Sequence, residues 1–200
     1  MFPRLAALAI MLMAAPTFHP AVTEAQCTSR AVGKPNHGSL VCGRQLPAET
    51  DTFVTWDFPQ QVLPNRPWRR WGTEKLVNTV ESIAADYRAR FGPDETPLVI
   101  GDLSRRRGGP FGRRYGGEGH ASHQNGLDVD IYYPRADGIE LPVFSPAEID
   151  RVRAQWLVDR AARADAQYVF IGPNTRLRRP TRRVQLLANH DNHLHLRIYP

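Results

Sequence analysis

The 200-residue chain is long enough for one domain with a real core, and its formal net charge of +6 rests largely on clustered arginine. Beyond the N-terminal segment no stretch is apolar and long enough to span a membrane, which takes ~20 residues. A basic balance of this kind suits an anionic partner, and the compartment decides which one.

Residues 1–25 read as an export signal. Arg4 supplies a positive start, Leu5 to Ala15 is an uncharged apolar run, and Thr23-Glu24-Ala25 offers small residues at the cleavage positions. Removal after Ala25 leaves one domain over 26–200 with no stable membrane insertion. Export argues against nucleic acid as the partner of Arg105-Arg106-Arg107, Arg113-Arg114, Arg178-Arg179 and Arg182-Arg183. It leaves either an anionic polymer of the cell wall and envelope or a solvated basic face with no dedicated partner. Cys27 and Cys42 are expected to form a disulfide, on compartment and even count, and neither is spaced like a zinc ligand.

Residues 43–72, rich in Pro and Trp, read as irregular or short-stranded surface. Thr73 then caps a helix whose apolar stripe is Leu76, Val77, Val80, Ile83, Ala84, Tyr87 and Phe91, stopped by Gly92-Pro93. Leu98-Val99-Ile100 is a short strand running into Gly101-Asp102, and residues 104–119 form a long loop of arginine and glycine. Leu127 to Tyr132 alternates, with Asp128, Asp130 and Tyr132 on the open face. Ser145, Pro146 and Glu148 spell a capping box opening a second helix, with Ile149, Val152 and Trp156 as its stripe. Tyr168 to Ile171 is a buried strand. The last strand alternates Leu194, Leu196 and Ile198 inward with His193, His195 and Arg197 outward. This mixture without regular β-α-β alternation predicts an α+β fold: a small, mainly antiparallel central sheet with flanking helices and long loops.

Five of the seven histidines fall in two short segments, "GHASHQNGLDVDI" and "HDNHLHLR", each carrying a strand with polar groups on one face. Imidazole and carboxylate suit Zn²⁺, and a catalytic zinc site uses three protein ligands plus an open position. If the two strands are sheet neighbours, His123, Asp130 and His195 converge on one ion. Asp128, on the same face as Asp130, reads either as a partner orienting a ligand histidine or as a solvent-facing carboxylate. The H-E-x-x-H signature of helical zinc proteases is absent.

These segments resemble the penicillin-insensitive murein endopeptidases, part of a wider group of zinc peptidases with lysostaphin-type enzymes, D-alanyl-D-alanine peptidases and hedgehog domains. The shared pattern is His123 and Asp130 followed by His193 and His195; Gly119 to Ser122, Gln124 and Gly126 to Ile131 fit the endopeptidase version. The resemblance implies a zinc peptidase domain with His123, Asp130 and His195 as ligands and water in the fourth position. It implies His193 beside the metal as general base, His190 as a further catalytic histidine, and His120 as a further active-site histidine and auxiliary ligand. It implies a periplasmic D,D-endopeptidase that hydrolyses peptidoglycan cross-links. Two alternatives stand beside it: a carboxypeptidase of the same group trimming terminal D-alanine, and a non-catalytic wall-binding protein with a vestigial zinc site.

Overall fold

The computed structural model describes residues 27–112 and 120–200. The expected signal segment over residues 1–25 and the Arg113-Arg114 pair lie outside the described residues. Among the described residues ten strands and two α-helices follow one another: β1 (Arg30–Lys34), β2 (His37–Val41), β3 (Arg44–Gln45), β4 (Phe53–Thr55), β5 (Trp71–Gly72), α1 (Glu74–Phe91), β6 (Leu98–Ile100), β7 (Asp128–Tyr132), α2 (Arg151–Ala162), β8 (Ala166–Ile171), β9 (Val184–Leu186) and β10 (His193–Ile198). The main sheet has the order β4-β6-β7-β10-β8-β9, with parallel pairs only at its two margins. The fold is α+β and mainly antiparallel, as the sequence pattern predicts.

Helix α1 forms as its stripe dictates. Thr73 accepts a hydrogen bond from the Leu76 amide at the N-cap, and Leu76, Val77, Val80, Ile83, Ala84 and Tyr87 are buried. Each large apolar side chain so placed contributes about 1.5–3 kcal/mol. The helix ends where Gly92 adopts φ 108°, a conformation costly for any side chain, and its amide donates back to the Arg88 carbonyl. Leu194, Leu196 and Ile198 of β10 and Val129 and Ile131 of β7 join this core from the sheet.

Two elements depart from the sequence reading. The Ser145 segment starts a 3₁₀ turn over Pro146–Glu148, and α2 begins only after Asp150, whose carboxylate accepts from the Val152 and Arg153 amides. Glu148 is drawn to the Phe144 amide and to Arg135 instead of closing a capping box. The buried stripe of α2 is therefore Ala154, Leu157, Val158, Ala161 and Ala162, while Val152 is 75% exposed. The 43–72 region is also more than surface. All three residues of β4 are buried in the main sheet beside β6, and Leu46 and Arg69 are inaccessible to solvent. The Cys27–Cys42 disulfide, with Cα atoms 5.9 Å apart, closes the open end of the β1–β2 hairpin.

Candidate active site

Strand pairing builds the site. β7 and β10 are antiparallel neighbours in a register that sets His195 opposite Asp130, Arg197 opposite Asp128 and His193 opposite Tyr132. Alternation then puts all six side chains on one face of the sheet, away from Val129, Ile131, Leu194 and Leu196. The carboxylates expected on an open face are buried: Asp128 is 0% exposed beneath His195 and Arg197, and Asp130 is 7% exposed at the floor of the histidine cluster. Asp128 is thus no solvent-facing group. His123 reaches the face from the turn before β7 with φ 65°, a left-handed conformation uncommon outside glycine.

Three side-chain atoms meet in a triangle. His123 Nε2 lies 3.3 Å from His195 Nδ1 and 3.4 Å from Asp130 Oδ1, and His195 Nδ1 lies 3.2 Å from Asp130 Oδ1. The outer nitrogens decide what these atoms offer. His123 Nδ1 is 2.6 Å from the Leu103 carbonyl, which can only accept, so that nitrogen carries the proton and Nε2 a lone pair. His195 Nε2 likewise donates to Asp128 Oδ1 at 2.7 Å, leaving the Nδ1 lone pair facing inward. Asp130 Oδ1 is buried and makes no hydrogen bond. Three lone-pair atoms pointing at one another repel, unless a proton or a cation sits among them.

The electrostatics point the same way. Burial pushes the Asp128 carboxyl upward, but the hydrogen bond from His195 and the charges around it hold it at about 2. Burial likewise disfavours charge on His195, yet its contacts with Asp128 and Asp130 raise it to about 9. In the absence of metal the two carboxylates hold a proton on His195. A divalent cation satisfies the same demand and displaces that proton.

His120 stands on the far side of His123, ring centroids 4.7 Å apart, and the ligating atoms of His120, His123 and Asp130 lie within 4.8 Å of one another. This second set is looser than the triangle. One His120 nitrogen is also committed: Nε2 is 2.7 Å from Asp102 Oδ2. Asp102 is saturated by donors, taking Arg69 through both oxygens and Asn65 Nδ2 at 2.9 Å. Its carboxyl is held at about 2, with burial opposed by the hydrogen bonds of His120 and Arg69. Neither Asp102 nor Arg69 stands out in the sequence as a site residue. The one signal for Asp102 is its position directly after a buried strand, where the backbone of β6 continues opposite Asp130.

His193 sits at the margin of the triangle, its Nε2 3.7 Å from Asp130 Oδ1 and its Nδ1 2.7 Å from Asn192 Oδ1. Burial pushes this imidazole down to about 4. His190 packs on it with ring centroids 4.8 Å apart, and its Nδ1 donates to the Ala188 carbonyl at 2.8 Å. The turn bearing His190 is clamped by Asp191, which accepts from both the amide and the side chain of Asn174. Gly172 permits that contact, since a Cβ there would fall 2.1 Å from Asp191 Oδ1. All these histidines line a cleft of about 810 Å³ walled by Phe58, Phe170 and Leu187.

The family model for penicillin-insensitive murein endopeptidase matches residues 31–177. The chain belongs to that family. The penicillin-insensitive murein endopeptidase of Salmonella arizonae is 32% identical over 144 residues, which cover 71% of this chain and 43% of that protein. Those of Salmonella paratyphi B and Salmonella newport are 31% identical with the same coverage. The chain thus spans about two fifths of the length of these curated relatives. The family match carries His120, His123, Asp128 and Asp130 but stops short of β10. His193 and His195 join the site through the sheet register instead. Among the described residues no helix is long and apolar enough to cross a membrane.

Proposed function

We propose that the protein is a zinc-dependent D,D-endopeptidase of the periplasm that hydrolyses the D-alanyl–diamino acid cross-links of peptidoglycan. The observation that carries this reading is the triangle of His123 Nε2, Asp130 Oδ1 and His195 Nδ1. Its edges of 3.2–3.4 Å fit three corners of a tetrahedron around an ion with ligand bonds near 2.0–2.1 Å. Family membership and the names of the relatives support the substrate class.

A zinc ion held by His123, Asp130 and His195 would supply Lewis acidity toward the scissile carbonyl and a water nucleophile at neutral pH. The remaining steps fall to the chain. Asp128 and the Leu103 carbonyl keep the two ligand imidazoles in the tautomers that present lone pairs. His193 is neutral at pH 7, and its Nδ1–H bond to Asn192 leaves Nε2 to take a proton from the attacking water and return it to the leaving amine. His190, packed at a tilt against His193, meets the substrate from the same part of the cleft. His120, fixed by Asp102 beside His123, would serve as an auxiliary ligand or a donor to the developing oxyanion.

Digestion of purified sacculi tests the reading. Release of monomeric muropeptides from cross-linked dimers, abolished by a chelator and restored by zinc, is the expected result. Release of free D-alanine alone would instead indicate a carboxypeptidase, and full activity in chelator would remove the metal from the mechanism.

A further inference from the structure

The stretch between Asp165 and Asp191 contains no acidic residue and carries Arg176, Arg178, Arg179, Arg182 and Arg183. All five are exposed, as is Arg151 at the start of α2. Elsewhere among the described residues Arg44, Arg66, Arg69, Arg135, Arg153, Arg160 and Arg197 pair with carboxylates. Among the described residues the six of this patch form no ion pair. Six exposed guanidinium groups without an ion-pair partner in the described fold are open to anions outside the chain.

The segment is also held in place. Arg178 bonds Gln155 of α2 through its backbone alone, its amide donating to Oε1 at 2.7 Å and its carbonyl accepting from Nε2 at 3.3 Å. Its side chain therefore plays no part in that anchor. Leu177 packs on the core beside Trp156. Between α2 and the segment runs a groove of about 490 Å³ lined by Arg151, Val152, Trp156, Arg176 and Arg178, with Asp159 as its single acid. Asp159 is taken by Gln155 Nε2 at 2.8 Å.

The patch is joined to the cleft by a short run of chain. After Arg183 the chain crosses the three residues of β9, about 10 Å, and becomes the cleft wall at Leu187, Ala188 and His190. β9 is the margin of the main sheet, with no further strand beyond it among the described residues.

We propose that the arginine segment 176–183, with Arg151 and the Trp156 groove, is a second binding site that holds the carboxylate-rich stem peptides of the wall beside the cleft. This rests on the murein substrate proposed above. Stem peptides present free carboxylates along an insoluble mesh, and guanidinium groups take carboxylates in paired hydrogen bonds. A mesh engaged at this site keeps further cross-links within reach of the catalytic face, so the effect is one of local concentration rather than of chemistry.

The test compares the full chain with its R176Q/R178Q/R179Q variant. Sedimentation with purified sacculi at low ionic strength is expected to show affinity reduced roughly tenfold by the substitutions, with the difference vanishing at high salt. Cleavage of a soluble cross-linked muropeptide dimer is expected to be equal in the two proteins, because no substituted residue lines the cleft. Sacculi whose carboxyls have been amidated should bind the two proteins equally weakly. Equal binding of untreated sacculi by both proteins would overturn the proposal, as would equal arginine dependence on vesicles of anionic phospholipid. Loss of dimer cleavage in both, with arginine-dependent sacculus binding intact, would leave this site standing and count against the peptidase reading alone.

Discussion

His193 and His195 stand two residues apart on one strand face, yet their nitrogens meet different surroundings. His195 Nδ1 is a corner of the triangle, whereas His193 Nε2 is 3.7 Å from Asp130 at its margin. His195→Ala is expected to lose both zinc and turnover, since two protein ligands hold zinc weakly. His193→Ala is expected to keep the metal and lose about 10²–10⁴ in rate. Zinc content beside turnover in the two purified, folded variants checks this; equal metal loss would merge the two roles. Asp128 acts one bond further out. Asp128→Asn removes the acceptor charge behind His195 and is expected to weaken zinc binding about 10–100-fold with little change in fold. Competition against a chelator of known affinity measures it, and unchanged affinity would remove Asp128 from the site.

At the scale of elements, the end of β6 carries a pH dependence. Asp102 titrates at about 2 against an ordinary 3.8. A depressed carboxyl stabilises the fold above the unfolded value, and that contribution disappears as pH falls through the folded one. For this buried group it amounts to roughly 2 kcal/mol. His120, raised by its bond to Asp102 despite burial, works in the other direction: its contribution is present below the ordinary histidine value and fades as pH rises through the raised one. Urea unfolding of metal-free protein and Asp102→Asn at about pH 5 and about pH 2.5 should show the stability gap between them closing at the lower pH. A constant gap would assign Asp102 no titrating role. Leu194, between the two histidines, points the opposite way into the core, and Leu194→Ala should cost about 2–5 kcal/mol. Thermal unfolding would read it, and a smaller loss would mean the strand is loosely seated.

The same elements show what a sequence can carry. The α1 stripe, the alternation in β7 and β10 and the convergence of His123, Asp130 and His195 are legible because each repeats a period or a ligand spacing. The start of α2 is not, since Ser145-Pro146-Ala147-Glu148 satisfies a capping rule locally while Arg135 and the Phe144 amide claim Glu148 in three dimensions. Arg69 and Asp102 are invisible for a similar reason. They lie 33 positions apart, and only the folded sheet makes them a pair behind His120.

For the whole molecule, the Cys27–Cys42 disulfide closes the open end of the β1–β2 hairpin. Its loop model assigns about 3 kcal/mol, so reduction should lower the urea midpoint without unfolding the sheet. Peptide mapping without reductant should find the two cysteines linked, and two free thiols would refute the pairing. A different consequence follows from the place of β10. It comes after every other strand in the chain, yet it lies inside the sheet between β7 and β8, and it brings residues 67 positions apart into contact. Closure over that distance is among the slower pairings a chain of this size makes. Until residues 193–198 slot between their neighbours, the sheet is two separate pieces and the third corner of the triangle is elsewhere. On the proposed reading, a nascent chain carries no complete metal triangle before β10 is paired between β7 and β8.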